Sequence, residues 1–142
     1  MGELNQVYLS LGSNLGNREL QISDALAALE LQGISVLASS SYFYSKPLGF
    51  ISPNDFCNVC VKVSTTLAPL ALLQQLQDVE RQLGRVEKSN SNGYQDRPID
   101  IDIIFFNTLV FNDEKLIIPH PQWNMRPFVY LPLIKLVESL NI

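Results

Sequence analysis

Apolar residues along the chain follow two different periods, and these periods predict its strands and helices. Alternating or continuous β-rich runs predict four strands, at about 7–11, 34–44, 56–63 and 99–106. Apolar stripes at helical spacing predict three helices, from about Arg18, over about 66–83 and over 127–139. Two short β-rich runs, 109–111 and 116–118, flank a polar turn and predict a hairpin.

Capping residues mark the ends of the first two helices. Asn17 is a candidate N-cap for the first helix, and Gly33 closes it. Thr66 is the candidate cap of the second helix, which has Pro69 in its first turn and Gly84 just past its end.

The order of these elements predicts the fold class. Without the hairpin and the last helix, the order is β-α-β-β-α-β, which is the ferredoxin-like split βαβ arrangement. We therefore expect an α+β fold, an antiparallel sheet with helices packed on one face, to which the hairpin and the C-terminal helix are added. Length and continuity predict a single domain over residues 1–142.

Composition and charge exclude several classes of protein. With 46% apolar and 17% charged residues the chain can bury a proper core. Ten Lys and Arg against fourteen Asp and Glu give a net charge of -4, which argues against nucleic-acid binding across a basic face. No apolar run has the length of a membrane span, and the first residues do not resemble a secretion signal. We expect a cytoplasmic protein with no membrane partner.

Cys57 and Cys60 form a C-x-x-C motif, which elsewhere indicates redox chemistry or a metal site. Here the motif lies in a predicted strand, where residues three apart point to opposite faces. The two thiols therefore cannot readily share one metal ion or form a disulfide, and we expect two buried structural cysteines.

Asp100 and Asp102 are the clearest departure from a plain structural strand. They alternate with Ile99, Ile101 and Ile103 in the most apolar strand, so both carboxylates share one face, with their Cα atoms about 6.6 Å apart. Ile104 and Phe106 are predicted to continue that same face. Asp is rare in strands and two like charges repel, and a divalent cation such as Mg²⁺ relieves both costs. A solvent-facing edge strand is the alternative.

Basic residues surround the Asp pair in the predicted fold. Arg85 and Lys88 open a polar loop, 85–98, which Arg97 closes, and Arg126 follows the hairpin. A mobile loop that carries Arg side chains can close over a triphosphate, because guanidinium groups match phosphate geometry. Cations and metal ligands together favour phosphoryl transfer. For any one of these arginines taken alone, a solvated surface charge is the favoured interpretation.

Other positions add weaker indications. Glu80 falls on the apolar face of the second helix, where a carboxylate needs a partner or a cleft. The single histidine, His120, lies between two prolines. Residues 12–17 join a strand to a helix N-terminus, a possible anion site, but lack the Lys of a P-loop.

Taken together, these segments resemble the 6-hydroxymethyl-7,8-dihydropterin pyrophosphokinase family of folate biosynthesis. The resemblance extends over nearly the whole chain, and its most specific part is the R-x-x-D-x-D stretch that begins at Arg97. The other matching motifs are Leu11–Gly16, Ser41–Tyr44 with Pro47–Gly49, Phe56–Asn58, Glu80 with Gly84–Arg85, Ile118–His120 and Arg126–Phe128.

The resemblance implies a role for each matching residue. Asp100 and Asp102 would hold two Mg²⁺ ions that bridge the triphosphate, and Arg85 and Arg97 would clamp it as the other catalytic residues. Further ATP-binding residues would be Gln77, Glu80, Ile103, Lys115, His120 and Arg126. The pterin-binding residues would be Ser45, Leu48, Phe56, Asn58, Tyr94 and Phe128, with Asn58 hydrogen-bonded to the ring edge and the two phenylalanines stacked on it.

The expected activity is transfer of diphosphate from ATP to the hydroxymethyl group of the pterin, with release of AMP. The expected partners are these two small molecules, and the expected assembly is a monomer or a weak dimer. An alternative interpretation of the sequence is a non-catalytic ferredoxin-like module that binds a small ligand and carries the two aspartates on its surface. A D-x-D nuclease or glycosyltransferase is disfavoured by the acidic balance and the small size.

Overall fold

Helices cover both faces of an antiparallel sheet in the computed structural model, which describes residues 3–46, 55–84 and 98–140. The strands are β1 (Asn5–Ser13), β2 (Ser35–Ser39), β3 (Phe43–Ser45), β4 (Phe56–Thr65), β5 (Asp100–Phe106), β6 (Phe111–Asn112) and β7 (Ile117–Ile118). The helices are α1 (Arg18–Leu31), α2 (Pro69–Gln82) and α3 (Pro127–Ser139), with a 3₁₀ turn, Trp123–Met125, before α3.

The main sheet has the strand order β2-β4-β1-β5, with β3 also paired to β4. All of these pairings are antiparallel. The order is that of the ferredoxin-like split βαβ fold, so the predicted fold class is confirmed. The predicted hairpin is also present, as the separate pair β6–β7.

The two faces of the sheet pack against different helices. Leu9, Leu11 and Ile101 are buried against α1 and α2 in the larger apolar cluster. Ile104 and Cys60 belong to a second cluster with the buried residues of α3 on the opposite face. Each fully buried Leu or Ile contributes roughly 1.5–3 kcal/mol. The expectation that the helices share one face therefore holds for α1 and α2, whereas α3 covers the other face.

The predicted strand 34–44 is two strands, because Ser40 interrupts it. The Ser40 N–H donates to the carbonyl of Cys60 at 2.8 Å, and the Cys60 N–H donates to the Ser40 side-chain Oγ at 3.0 Å. The hydroxyl takes the place of a backbone carbonyl, a competition for which serine is known. β2 and β3 therefore pair with different parts of β4.

The first helix cap was predicted correctly and the second was not. The Asn17 side chain accepts from the Leu20 N–H at 3.1 Å, and Gly33 follows the helix with φ of +81°. The N-cap of α2 is Ala68, which has no side-chain cap, with Pro69 at the first helical position. Thr66 does not cap the helix. The neighbouring Thr65 instead accepts from the Leu67 N–H at 3.1 Å and fixes the turn before it.

Strand β1 extends to Ser13, beyond the predicted end at Leu11, because Gly12 and Ser13 still pair with β4. An irregularity in the pairing of β1 with β5 lies between Tyr8 and Leu9. It leaves Ile104 on the face of Asp100 and Asp102, as predicted, but turns Phe106 into the opposite core. The prediction for Phe106 was therefore wrong, because a bulge changes the alternation of faces.

None of the helices within the described ranges has the length and hydropathy needed to cross a bilayer.

Candidate active site

Two adjacent rows of residues cross the centre of the sheet on the face that α3 only partly covers. Asn58, Gly12 and Asp100 are direct neighbours in β4, β1 and β5. Cys60, Ser10 and Asp102 form the next row in the same three strands. Directly paired residues share a face, so Asp100 and Asp102 project on the same side as Asn58. Both aspartates are half-buried.

A buried carboxylate holds the strand that carries the aspartates. Glu80 of α2 is 4% exposed, and its Oε2 accepts a hydrogen bond from the Ile101 N–H at 2.7 Å. Ile101 lies between Asp100 and Asp102, on the edge strand of the sheet. The expectation that Glu80 has a partner is confirmed: the carboxylate fixes the backbone between the two aspartates.

Asn58 is packed directly over Gly12. Asn58 is 5% exposed, and a Cβ added at Gly12 would lie 2.4 Å from its Nδ2. Within the described residues its Oδ1 has no hydrogen-bond partner. A buried amide oxygen without a partner is unfavourable by about 1–3 kcal/mol, so this atom is suited to a polar ligand.

Strand β3 supplies the wall beside Asn58. Phe43 pairs with Asn58, and Ser45 pairs with Phe56. The Ser45 Oγ is buried and, like Asn58 Oδ1, lacks a partner among the described residues. Asn58 Oδ1, Ser45 Oγ and the Phe56 ring therefore border the same part of the sheet face, an arrangement that fits a flat polar heterocycle.

The segment before α3 carries two basic side chains, His120 and Arg126, that both contact Gln122. The His120 N–H donates to the carbonyl of Ile104 at 3.0 Å, which holds this segment against β5. His120 Nδ1 accepts from the Gln122 N–H at 3.1 Å, so in the neutral ring Nε2 carries the proton. The Nε2–H group can donate a hydrogen bond to a phosphate oxygen.

Arg126 stands immediately before α3 and is half-buried. Its guanidinium donates to the Gln122 side chain and lies 6.0 Å from the centre of the Phe128 ring. Phe128, in the first turn of α3, packs against the second apolar cluster. One helix start therefore presents a cation and an aromatic ring side by side.

Comparison with known proteins places the chain in a family. The model of the family described as 7,8-dihydro-6-hydroxymethylpterin-pyrophosphokinase (HPPK) matches residues 8–138. The chain belongs to the HPPK family.

Several relatives agree with the HPPK assignment. A 2-amino-4-hydroxy-6-hydroxymethyldihydropteridine pyrophosphokinase of Porphyromonas gingivalis is 44% identical over 95% of this chain and 92% of its own length. A Bacillus subtilis protein of the same name is 34% identical over 96% and 81%. A folic acid synthesis protein of Pneumocystis carinii is 45% identical over 94% of this chain, which spans only 18% of that protein.

The crystal structure of Plasmodium falciparum HPPK-DHPS has a TM-score of 0.66 to this fold, at 16% identity. The match covers 96% of this chain and 39% of that one. At this identity the likeness supports the fold alone.

The other residues that the HPPK resemblance singled out lie in different surroundings. Gln77 is half-buried, one turn before Glu80 on α2. Lys115 is exposed in the turn between β6 and β7, where its N–H donates to Asp113 Oδ1 at 2.9 Å. Ile103 is 2% exposed in the core opposite the aspartates, so only its backbone, at the sheet edge, can face a ligand.

Four of the HPPK-derived site residues lie outside the described residues: Leu48, Arg85, Tyr94 and Arg97. The proposed closure of loop 85–98 also falls largely outside them.

The cysteines lie as the strand pattern predicts. Cys57 is buried in the larger cluster and Cys60 in the smaller one, on opposite faces, and both are free thiols. Burial raises the pKa of Cys57 to about 11 and that of Cys60 to about 12. Across the described residues no group of three or more His, Cys, Asp and Glu side chains is arranged to hold a metal ion.

Sequence reasoning missed Ser10 on this face, and it included Gly12 in a motif and a possible anion site without placing it between Asn58 and Asp100. Ser10 is 5% exposed between Cys60 and Asp102, and Gly12 lies between Asn58 and Asp100. The signal was present in the alternation of Leu9, Ser10, Leu11 and Gly12, which marks a strand with one apolar face and one face of small residues.

Proposed function

We propose that the chain carries out the reaction of its family at this face of the sheet. In that reaction the hydroxymethyl oxygen of 6-hydroxymethyl-7,8-dihydropterin attacks the β-phosphorus of ATP. The bond from this phosphorus to the α–β bridging oxygen breaks, the hydroxyl proton is lost, and AMP leaves. The products are AMP and the pterin diphosphate used in folate biosynthesis.

The single observation that carries the proposal is the row Asn58–Gly12–Asp100. The two polar side chains are two strand spacings apart, or about 10 Å. This separation suits a pterin ring held at Asn58 with its hydroxymethyl group directed toward phosphates at Asp100. Positioning of this kind is the main contribution a protein can make to phosphoryl transfer.

The donor set of Asp100 and Asp102 fits Mg²⁺. Two same-face carboxylates on one strand offer hard oxygen ligands, and Mg²⁺ completes its shell with water and substrate phosphates. Bound metal would neutralise charge on the triphosphate oxygens. We assign both aspartates to this role, with two ions as in the family resemblance. Glu80 then acts by keeping the strand between them in place.

The pterin would occupy the surface bordered by Asn58, Ser45 and Phe56. Asn58 Oδ1 and Ser45 Oγ would supply hydrogen-bonding atoms at the ring edge; both are buried without a partner among the described residues, which supports this placement. Phe56 and Phe128 would stack on the two faces of the ring. Leu48 and Tyr94 are assigned to the same pocket from the resemblance.

The nucleotide would lie along the edge of β5. His120 and Arg126 would hold its phosphates from the α3 side, while Arg85 and Arg97 would hold them from the 85–98 loop. Gln77, Lys115 and the backbone of Ile103 would contact the rest of the nucleotide. Charge-assisted hydrogen bonds from guanidinium groups are the strongest of these contacts.

The deciding experiment measures AMP production from ATP with 6-hydroxymethyl-7,8-dihydropterin and Mg²⁺. We expect AMP and the pterin diphosphate in equal amounts, and none when either the pterin or Mg²⁺ is omitted. Pterin binding without AMP formation would favour a non-catalytic binding module and contradict the proposal.

We also propose that the protein works in the cytoplasm as a monomer or weak dimer, on small molecules and not on nucleic acid. The net charge of -4 supports the last point. Sedimentation at micromolar concentration tests the assembly, and titration with duplex DNA at low salt should show no binding.

A further inference from the structure

A cluster of contacts on the face opposite the site joins α1 to the strands that border the proposed pterin position. We define the Tyr44 cluster as Arg18, Glu19, Tyr44 and Asp55. The Tyr44 hydroxyl donates to Glu19 Oε2 at 2.7 Å, and Arg18 Nη1 donates to the Asp55 carbonyl at 2.8 Å. The Arg18 guanidinium also lies 5.3 Å from the centre of the Tyr44 ring.

The Tyr44 cluster touches both strands that form the pocket wall. Tyr44 is the middle residue of β3, between Phe43 and Ser45, and Asp55 immediately precedes Phe56 at the start of β4. Because side chains alternate along a strand, Ser45 projects toward the site while Tyr44 projects away from it. The cluster therefore contacts β3 and the start of β4 on the face opposite the site, and it does not contact the ligand position.

Strand β3 needs such support. It is three residues long and is paired to β4 alone among the described strands, so it has few ladder hydrogen bonds. Short edge segments of this kind open at a low free energy. The contacts of the cluster link residues 25 and 37 positions apart in the chain, so they connect β3 and the residue before β4 to the first turn of α1.

The charge state of the cluster is suited to a permanent contact. The hydrogen bond to Glu19 raises the pKa of Tyr44 to about 12, and the same bond lowers the pKa of Glu19. The phenol therefore stays a donor and the carboxylate an acceptor through the neutral pH range.

From this geometry we infer that Tyr44, Glu19 and Arg18 are positioning residues for the pterin pocket. They hold β3 and the start of β4 so that Ser45 Oγ and Asn58 Oδ1 point at one ring edge. The inference rests on the proposed function, because it takes the pterin as the ligand of that pocket. It adds residues on the far side of the sheet that set affinity for the pterin and not for ATP.

The test compares binding of the pterin with binding of a non-hydrolysable ATP analogue, both by calorimetry. Tyr44→Phe removes the hydroxyl and keeps the ring under Arg18. We expect it to weaken pterin binding about threefold to tenfold, the net effect of one ordinary hydrogen bond, because Tyr44 is exposed and water replaces part of the lost contact. Affinity for the ATP analogue should stay within about twofold of the original value.

Two further variants separate positioning from a general loss of structure. Glu19→Gln keeps an oxygen acceptor for the phenol and should retain most of the pterin affinity, whereas Glu19→Ala should match Tyr44→Phe. The double variant Tyr44→Phe/Glu19→Ala should bind the pterin no more weakly than Tyr44→Phe alone, because both changes remove one contact.

The matched control is Tyr42→Phe, a neighbouring tyrosine whose ring lies 6.5 Å from that of Tyr44. It should leave both affinities unchanged. Unchanged pterin affinity in Tyr44→Phe would overturn the inference, and so would equal losses for pterin and nucleotide. If the original protein binds no pterin at all, the proposed function fails instead, which is a different result.

Discussion

Asn58 and Gly12 fit together so closely that the glycine cannot carry a side chain. The Asn58 Nδ2 occupies the volume that a Gly12 Cβ would need, at a separation of 2.4 Å. Since Asn58 is nearly fully buried, its amide cannot move aside without disturbing β3 or β4. The glycine at the end of β1 thus sets the position of the amide that we assign to the pterin.

Gly12→Ala should therefore weaken pterin binding about tenfold or more, since the displaced amide loses its hydrogen bonds to the ring. Binding of a non-hydrolysable ATP analogue should change much less. The control is the pair Asn58→Ala and Gly12→Ala/Asn58→Ala, in which the clashing amide is absent. If the double variant binds the pterin much more weakly than Asn58→Ala alone, the steric explanation is wrong.

Asp102→Ala should reduce turnover by several orders of magnitude, because charge stabilisation by a bound metal is worth several kcal/mol. Pterin affinity should remain close to its original value. Steady-state AMP production over a range of Mg²⁺ concentrations checks this, with Asp24→Asn, an exposed residue of α1, as the control. Near-full turnover in Asp102→Ala would remove this residue from the proposed metal site.

Glu80→Ala should lower the free energy of unfolding by about 1–3 kcal/mol, because it leaves the Ile101 N–H without its acceptor. Urea denaturation measures the change. Glu80→Gln keeps an oxygen acceptor and should recover most of the stability. Should the glutamine variant be as unstable as the alanine variant, the carboxylate charge and not the hydrogen bond would be the important property.

The buried thiols predict a loss of stability at alkaline pH. The folded-state pKa of Cys57 is about 11 and that of Cys60 about 12, against 9.0 for an unperturbed thiol. Above pH 9 the unfolded chain releases these protons first, so the unfolded state binds fewer protons and becomes favoured as pH rises. The contribution is complete below pH 9 and is lost as the pH passes through 11 and 12.

Denaturant titrations between pH 8 and pH 11 check this expectation. Cys57→Ala/Cys60→Ala should be less stable at pH 8 but should show a shallower decline as the pH rises. The pKa of Tyr44 is also raised, mainly by Glu19 and to a lesser extent by Cys57, so Cys60→Ala alone, which keeps Cys57 beside Tyr44, serves as the companion variant. Equal slopes for the two proteins would show that the thiols are not responsible.

Local patterns in the sequence were sufficient for the parts of the site that lie within one strand. Asp100 and Asp102 share a face because period-two alternation is a property of the strand itself. The opposite directions of Cys57 and Cys60 follow from the same rule. Asn17 was identified as a cap because its partner is only three residues away.

Features that depend on distant contacts could not be read in this way. Phe106 changes faces because of an irregularity in the pairing with β1, almost a hundred positions earlier in the chain. Ser40 ends β2 because its hydroxyl meets the N–H of Cys60, a neighbour only in the folded sheet. The Tyr44 cluster likewise exists only once α1 lies against β3. The spacing of apolar residues and the strand or helix propensity of each residue carry no information about such distant partners.

The hydrogen bond between Glu80 and Ile101 has a consequence for solubility. β5 is an edge strand, and an edge strand offers unpaired N–H groups to which another chain can add. The Glu80 carboxylate accepts a hydrogen bond from one of these groups, the N–H of Ile101. The phosphates of the proposed nucleotide would approach the aspartates on the face of β5, whereas a foreign strand would have to displace the Glu80 side chain from the Ile101 N–H. One buried glutamate therefore protects the edge strand along which we propose that the nucleotide lies.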